Sequence, residues 1–379
     1  MGRFFLTFFH FSSYNNTIRV RSPGGKLFMR QYDIAIIGGG PAGATFAREI
    51  ARRRPEWKIA LVDDKPKTGS KVCGGLLAPD AQKVLAQFDL SLPKHILADP
   101  QIFDVRTIDL VSGWQRNYQR HYLNMDRQKF DQWLLDLIPP QVEQIKGRCI
   151  SITDDLHLHI HTPDGPEQIC CLYLVGADGG SSIVRRTFFT PPKQQYVAIQ
   201  EHYADPGGDI PPYSCIFDSE TSDSCSWTIR KDGHIIFGGA FLPKNCREAF
   251  AEQRRKLEAQ LGHSLGKPIK REACLLTSIR SSKDLLLGQG RIFLLGEAAG
   301  FVSPSSYEGF SSAFLTGKYL ADAFCSGVEN VQIRRYYQKA TRMLRWKLCT
   351  KILKMKVLCS PPLRSAIMKS GIQSIRKYK

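Results

Sequence analysis

The chain has 379 residues, 42% apolar and 23% charged, enough material for a core and unlike a disordered chain, a collagen or a small disulfide scaffold. The net charge of +18 is uneven: residues 1–30 carry five Lys/Arg and residues 330–379 fourteen, neither with an acid, while the 34 bases between them face 35 acids. A neutral body with basic ends argues against a nucleic-acid-binding body, and no uncharged apolar run reaches the ~18 residues of a membrane span.

At the start, Phe4-Phe5-Leu6 and Phe8-Phe9 follow Arg3 like a short signal core, but no small-residue cleavage site comes after them. Leu6 stands where a myristoylation signal needs Ser or Thr. Met29 then opens Met-Arg-Gln-Tyr-Asp-Ile-Ala-Ile-Ile, so residues 1–28 are expected to be an upstream extension outside the fold. Eleven scattered cysteines with no C-x-x-C pair predict mostly buried thiols in a reducing, cytoplasmic setting.

Asp33 to Ile37 reads as a strand, and Gly38-Gly39-Gly40-Pro41-Ala42-Gly43 follows at once. Ala44 to Arg54 reads as a helix and Lys58 to Val62 as a second strand ending in Asp63, 25 residues beyond the first glycine. This is the full context of a dinucleotide-binding turn. Gly38 permits the tight turn, Gly40 lets backbone approach a pyrophosphate, and Gly43 lets the helix pack closely. Pro41 and Ala42 open the helix whose N-terminus faces the phosphates, and Asp63 accepts from ribose hydroxyls. Asp64 is the alternative acid, though the strand register favours Asp63.

Two later segments have the same strand-to-glycine-turn form. One is Tyr173-Leu174-Val175-Gly176-Ala177-Asp178-Gly179, followed by Ser181, Ser182 and Arg185; the other is Arg291 to Gly300, with Gly296 and Glu297. The three together resemble the fingerprints of FAD-dependent oxidoreductases of the hydroxylase and geranylgeranyl reductase superfamily. Glu297 stands where that superfamily normally has Asp; the resemblance implies that it accepts from the ribityl chain with one extra methylene. Lys71-Val72-Cys73-Gly74-Gly75 resembles the lysine–cysteine–glycine motif of geranylgeranyl reductases. Pro304 to Gly309, with Ala313 and Gly317, resembles their helix after the third fingerprint. Ser226-Trp227-Thr228-Ile229, then Gly238-Gly239, resembles their tryptophan strand, with Arg230 where proline is usual.

The resemblance implies an α/β fold: a Rossmann-like FAD-binding domain of glutathione-reductase type, an inserted α+β substrate domain and a basic C-terminal helical region. The expected FAD-binding parts are 29–94, 122–194 and 285–329; the substrate parts are 95–121 and 195–284; the helical region is 330–379. Asn124 to Ile138 has helical spacing, and Arg127 matches a cofactor-contacting arginine of the family. Leu156 to Ile160 and Gln168 to Val175, joined by Pro163-Asp164-Gly165, read as a hairpin. His157, His159 and His161 share one face of it and read better as solvent-facing side chains than as a metal site; no metal is expected. Strand patterns also mark Ser214 to Phe217 and His234 to Phe237.

A single dinucleotide fingerprint leaves no separate NAD(P)H domain, so electrons are expected from transiently bound NAD(P)H or another donor. The turn from Ser303 to Gly309 is expected at the isoalloxazine ring, where helix-end charge would favour an anionic reduced flavin. Hydride delivery to an isolated alkene needs a proton donor. Cys73 is the first candidate and Tyr307 the second, with Trp227 lining an apolar substrate cavity; packing alone is the plainer reading of each. Three functions compete: reduction of C=C bonds in an isoprenoid or lipid-like small molecule, hydroxylation by a flavin monooxygenase, and non-enzymatic FAD-binding lipid or redox sensing. Halogenation is disfavoured, because the W-x-W-x-I-P pattern is missing around Trp227. In the tail, Val331 to Val357 predicts one helix with Ile333, Tyr337, Ala340, Leu344, Leu348 and Ile352 on a stripe. That helix either packs on the FAD domain with a solvated basic face or also docks on an anionic membrane surface.

Overall fold

The computed structural model of the chain describes residues 19–22, 25–64, 72–208, 210–327 and 330–378. Two large sheets organise them. In the first, Ile292–Leu294, Gly165–Gly176, Arg30–Ile37, Ile59–Asp63 and Val142–Lys146 lie side by side and parallel. Gly288–Gln289 adds an antiparallel edge, and Arg148–Ile152 and His157–Thr162 extend Gly165–Gly176 as a meander whose hairpin closes at Thr162 and Gly165. Arg30–Ile37 is apolar on alternate positions of both faces because both are covered. Ile34 and Ile36 enter a core with the helices Pro41–Arg53 and Phe310–Cys325, while Ala35 and Ile37 enter a second core under the meander. The two helices approach closely because Gly317 faces backbone: a Cβ there would stand 2.7 Å from the Ala42 carbonyl oxygen.

The second sheet runs in the order Lys270–Thr277, Gln195–Ala204, His234–Phe241, Cys225–Lys231, Tyr213–Phe217, Ile102–Asp109, Gln115–Asn124 and Ser374–Ile375, with Leu76–Leu77 also paired to Gln115–Asn124. The helix Cys246–Leu261 covers one face through Phe250 and Leu257 against Tyr203 and Phe237. The other face turns Ala198, Trp227, Ile229 and Leu276 toward the parallel sheet and lines a cavity.

Most of residues 1–28, expected as an extension, lie outside the described residues. Within them, Arg19–Ser22 and Gly25–Phe28 pair with each other and, among the described residues, with no other strand.

The tail departs from expectation. The single helix over 331–357 is two, Asn330–Ala340 and Arg342–Cys359, parted at Thr341. Thr341 is buried and its hydroxyl donates back to the Tyr337 carbonyl at 2.8 Å, a back-bond of the kind that bends helices. Ile333 and Tyr337 pack in the first core and Leu348 in the second, so the tail crosses from one face of the parallel sheet to the other. Pro361 then starts the helix Pro361–Ser370 at a position that needs no N–H.

From that helix Arg364 reaches Asp109 of the second sheet, with Nε to Oδ2 at 3.0 Å and Nη2 to Oδ1 at 3.2 Å, both side chains almost fully buried. Burial would raise the Asp109 pKa, but the Arg364 hydrogen bond and charge outweigh it and hold the carboxyl below its ordinary value. Removing one partner strands a buried charge. Arg364→Ala is therefore expected to lower stability by about 3–5 kcal/mol, read from the denaturant midpoint. A loss below ~1 kcal/mol would show that the carboxylate is solvated without its partner.

Candidate active site

One cavity of about 790 Å³ lies at the carboxyl ends of the parallel strands, between Ile37, Val62 and Ala177 on one side and the second sheet on the other. Ligands of open α/β sheets bind at this end. The glycine loop forms one wall. Gly38 has φ +102°, and a Cβ on it would stand 2.6 Å from the Ala177 carbonyl oxygen. A Cβ on Gly43 would overlap the Gly38 carbonyl. The helix Pro41–Arg53 starts at Gly40 with no side-chain cap and no acid in its first turn, and Gly40, Pro41 and Ala42 line the cavity. Its positive end is thus open to an anion. Asp63, at the end of its strand, accepts from the Gly39 N–H at 3.0 Å and also lines the cavity.

Asp178 and Gly179 form the adjoining wall. Asp178 Oδ2 accepts from the Ile183 N–H at 2.6 Å, whereas its buried Oδ1 has no hydrogen-bond partner. Burial raises the Asp178 pKa despite the hydrogen bonds that oppose it. A buried acceptor without a partner, beside an uncapped helix end, fits a cofactor carrying hydroxyls and a pyrophosphate, as FAD does. Arg185 ties this wall to the third glycine turn: Nη1 donates to the Ala298 carbonyl and Nη2 to the Asp284 carbonyl, both at 3.1 Å.

Of the residues expected to hold the cofactor, Gly43, Gly296 and Gly300 are not in the cavity lining. Their positions are explained by packing instead. Gly296 and Gly300 have φ +51° and +86°, and a Cβ on Gly300 would stand 2.8 Å from the Asp284 carbonyl oxygen. Glu297 does line the cavity, but one of its carboxylate oxygens accepts from the Thr277 N–H at 3.0 Å. Glu297 thus reaches the edge strand Lys270–Thr277 of the second sheet. Gly309 lines the cavity as the uncapped start of the helix Phe310–Cys325, a second positive helix end.

Cys73, Arg127, Trp227 and Tyr307 meet in the same cavity, although they are far apart in the chain. Arg127 opens the helix Arg127–Asp136, which Asp126 caps, and its Nε donates to Asp131 Oδ1 at 2.9 Å. Burial would lower the Arg127 pKa, but the neighbouring Asp131 and Cys73 outweigh it and raise it. Cys73 Sγ accepts from the Gly75 N–H at 3.4 Å. Lys71, of the same motif, lies outside the described residues. Trp227 lies against Gly238, where a Cβ would stand 2.6 Å from the indole ring, and its Nε1 donates to Gln200 Oε1 at 3.3 Å. Tyr307 occupies the left-handed region at φ +53°, an unfavourable place for a bulky residue. Its hydroxyl is 2.6 Å from Ser224 Oγ, and burial pushes its pKa well up.

Sequence reasoning missed Lys231, Tyr122 and the role of Glu308. Lys231 Nζ donates to the Gly74 carbonyl at 2.8 Å and the Met125 carbonyl at 2.5 Å, clamping the turn that carries Cys73. The strand's period of two puts Lys231 on the same face as Trp227 and Ile229, a signal that could have found it. Tyr122 donates to Glu308 Oε1 at 2.8 Å across 186 residues of sequence, and its ring meets Tyr213 edge-on. No local pattern foretells that pair. Glu308 also sets a carboxylate beside the positive end of the Gly309 helix, which the expectation of partial positive charge there did not include. The three histidines share one strand face, with His157 and His159 half-buried and His161 exposed at the cavity edge. No cluster of three or more metal-binding side chains occurs among the described residues.

Burial of Lys231 pulls its pKa down to about 8, against the opposing pull of Cys73, Asp126 and Asp232. Between that value and the ~10.4 of a free lysine, the unfolded chain binds more protons than the native one, so this group makes stability rise with pH. Below pH 8 the buried charge is retained and its desolvation cost is in full force. The difference between wild type and Lys231→Met is therefore expected to shift in favour of wild type by about 3 kcal/mol from pH 7.5 to 10.5. Parallel stability curves for the two proteins would contradict this.

Fold and cavity together define the FAD-binding, Rossmann-type class of oxidoreductase folds. Solved structures that resemble the chain in fold include flavin-dependent enzymes. A geranylgeranyl bacteriochlorophyll reductase-like protein from Thermoplasma acidophilum matches with TM-score 0.70 and 18% identity, covering 87% of each chain. The p-nitrophenol 4-monooxygenase PnpA from Pseudomonas putida matches with TM-score 0.67 and 15% identity, covering 90% of this chain and 93% of its own. The flavin-dependent brominase Bmp2 matches with TM-score 0.64 and 18% identity, over 89% and 92%. No family model matches the chain. Protein CbrA from Escherichia coli O6:H1 is 42% identical over 360 residues, covering 93% of this chain and 96% of CbrA; the K12 protein is 41% identical over 93% and 100%. The chain belongs to the CbrA family.

Proposed function

We propose that the protein is an FAD-dependent reductase of C=C bonds in an isoprenoid or other lipid-like small molecule, reduced by NAD(P)H or another electron donor. We further propose that it acts in the cytoplasm, where its eleven free cysteines stay reduced, in peripheral contact with an anionic membrane. The observation that carries the reading is one continuous cavity. It joins the glycine loop and Asp178 to an apolar wall of Trp227, Ile229 and Tyr213, and Cys73 is part of its lining.

When bound, reduced FAD supplies a hydride to a substrate carbon. An isolated double bond is not electrophilic, so a proton must reach the other carbon in the same event. We assign that proton to the Cys73 thiol. Arg127 is adjacent and Lys231 holds the turn from below, so two cations attend the thiolate left after transfer. Tyr307, whose raised pKa keeps it protonated, is the second donor; its bond to Ser224 fixes where the hydroxyl points. Gly40, Ala42, Asp63, Arg127, Asp178 and Glu297 are the residues we assign to holding FAD. The apolar wall excludes water from the reacting carbons.

The test is anaerobic. Dithionite-reduced holoprotein mixed with a cellular lipid extract is expected to regain its oxidised flavin spectrum without oxygen. Reoxidation that requires oxygen and consumes it stoichiometrically with substrate would replace this reading with hydroxylation. Reoxidation that ignores the extract under both conditions would replace it with a binding or sensing role.

A further inference from the structure

The helix Arg342–Cys359 turns apolar side chains in two opposite directions. Leu344, Leu348 and Ile352 pack against the second core. On the other side Met343, Trp346 and Leu353 are 57%, 62% and 68% exposed. At 100° per residue these three fall within about 80° of one another, with Val357 between them in angle. Arg342 flanks the stripe on one edge, and Lys347, Lys351 and Lys354 flank it on the other. Residues 330–379 contain no acid to neutralise them. Two other bases of the tail are committed elsewhere: Arg364 pairs with Asp109 and Lys377 with Asp104.

An exposed tryptophan, methionine and leucine in a row are costly in water, and none of the three belongs to a core cluster among the described residues. A stripe of this kind edged by lysines matches a helix lying in a bilayer interface, with its apolar side chains at the acyl boundary and its ammonium groups at lipid phosphates. Nucleic acid would satisfy the lysines but not the stripe between them. We infer that this face of Arg342–Cys359 docks the protein on an anionic lipid bilayer, with Trp346 and Leu353 entering the interface and Lys347, Lys351 and Lys354 on the phosphates. The inference deepens the membrane contact proposed above and rests on that reading for its purpose, since a lipid-like substrate is delivered from a bilayer. The opposite face of the same helix is fixed in the core, so docking needs no rearrangement of the tail.

The experiment uses the full-length flavoprotein and cosedimentation with vesicles, which requires no turnover. Vesicles containing phosphatidylglycerol should bind it at low salt, and phosphatidylcholine vesicles should bind it far less. High salt should weaken the binding, because exposed charges are screened over ~8 Å at physiological ionic strength. Each interfacial base contributes about fivefold in affinity, so Lys347→Gln/Lys351→Gln/Lys354→Gln should weaken binding on the order of 100-fold. Trp346→Gln/Leu353→Gln should weaken it even at low salt, where charge attraction is strongest. Trp346, Lys347, Leu353 and Lys354 are exposed and Lys351 is half-buried, and unchanged flavin content checks that each variant is folded. Equal binding to both vesicle types, or variants that bind as wild type does, would overturn the inference. Retention on DNA or on an acidic protein without vesicle binding would also overturn it, assigning the bases to another polyanion. A protein that docks yet never reduces a lipid would remove the proposed reaction and leave the docking face standing.

Discussion

Gly40→Val is expected to give a folded protein without its yellow colour. Gly40 has φ −69° and ψ −178°, a backbone conformation that valine accepts, so the substitution should not disturb the chain. The new side chain would nevertheless project at the start of the helix Pro41–Arg53, into the wall where a pyrophosphate must meet backbone N–H groups. The contrast is with Gly43→Val, whose first carbon would overlap the Gly38 carbonyl. That variant should lose stability as well as flavin. Flavin absorbance and a denaturation curve on each protein separate the two effects. A fully flavinated Gly40→Val protein would remove the glycine loop from the cofactor site.

Cys73→Ala should retain flavin and lose about 10²- to 10⁴-fold in the rate of anaerobic, substrate-dependent reoxidation, the range of a lost general acid. Cys73 faces the cavity, yet the cofactor assignments do not include it, so flavin content serves as an internal control. Cys73→Ser keeps a proton but of a much weaker acid, and should fall between the two. Wild-type rates in the alanine variant would reduce Cys73 to packing and leave Tyr307 as the donor to test.

The glycine turns were legible in the sequence because their requirements are local. A positive φ at Gly38, a contact with the Gly38 carbonyl too close for a side chain at Gly43, and a helix–helix contact too close for one at Gly317 restrict those positions to one residue type. The hairpin at Thr162–Gly165 was legible for the same reason, from its period of two and its turn residues. The site's polar contacts were not. Tyr122 finds Glu308, and Arg364 finds Asp109 across 255 residues, through the pairing of whole sheets and the route of the tail. Periodicity carries no information about either. Thr341 shows a subtler limit. The apolar stripe continues through it from Tyr337 to Leu344 and Leu348, so the spacing reads as one helix. The break coincides with a hydroxyl bonding back to the Tyr337 carbonyl and with the crossing between two cores. Glu297 is a third case: its extra methylene was visible, but its bond to Thr277 depends on where the strand Lys270–Thr277 ends.

The most direct test of the reductive reading is the mass of the product. Chemically reduced wild-type protein is incubated without oxygen with a cellular lipid extract, and the extract is compared by mass spectrometry with one exposed to the oxidised protein. The expected product is a lipid species that gains two hydrogens, both of them carbon-bound deuterium when the incubation is run in heavy water, because the thiol and the N–H of reduced flavin both exchange with solvent. A product that appears only with oxygen and gains one oxygen atom would contradict it.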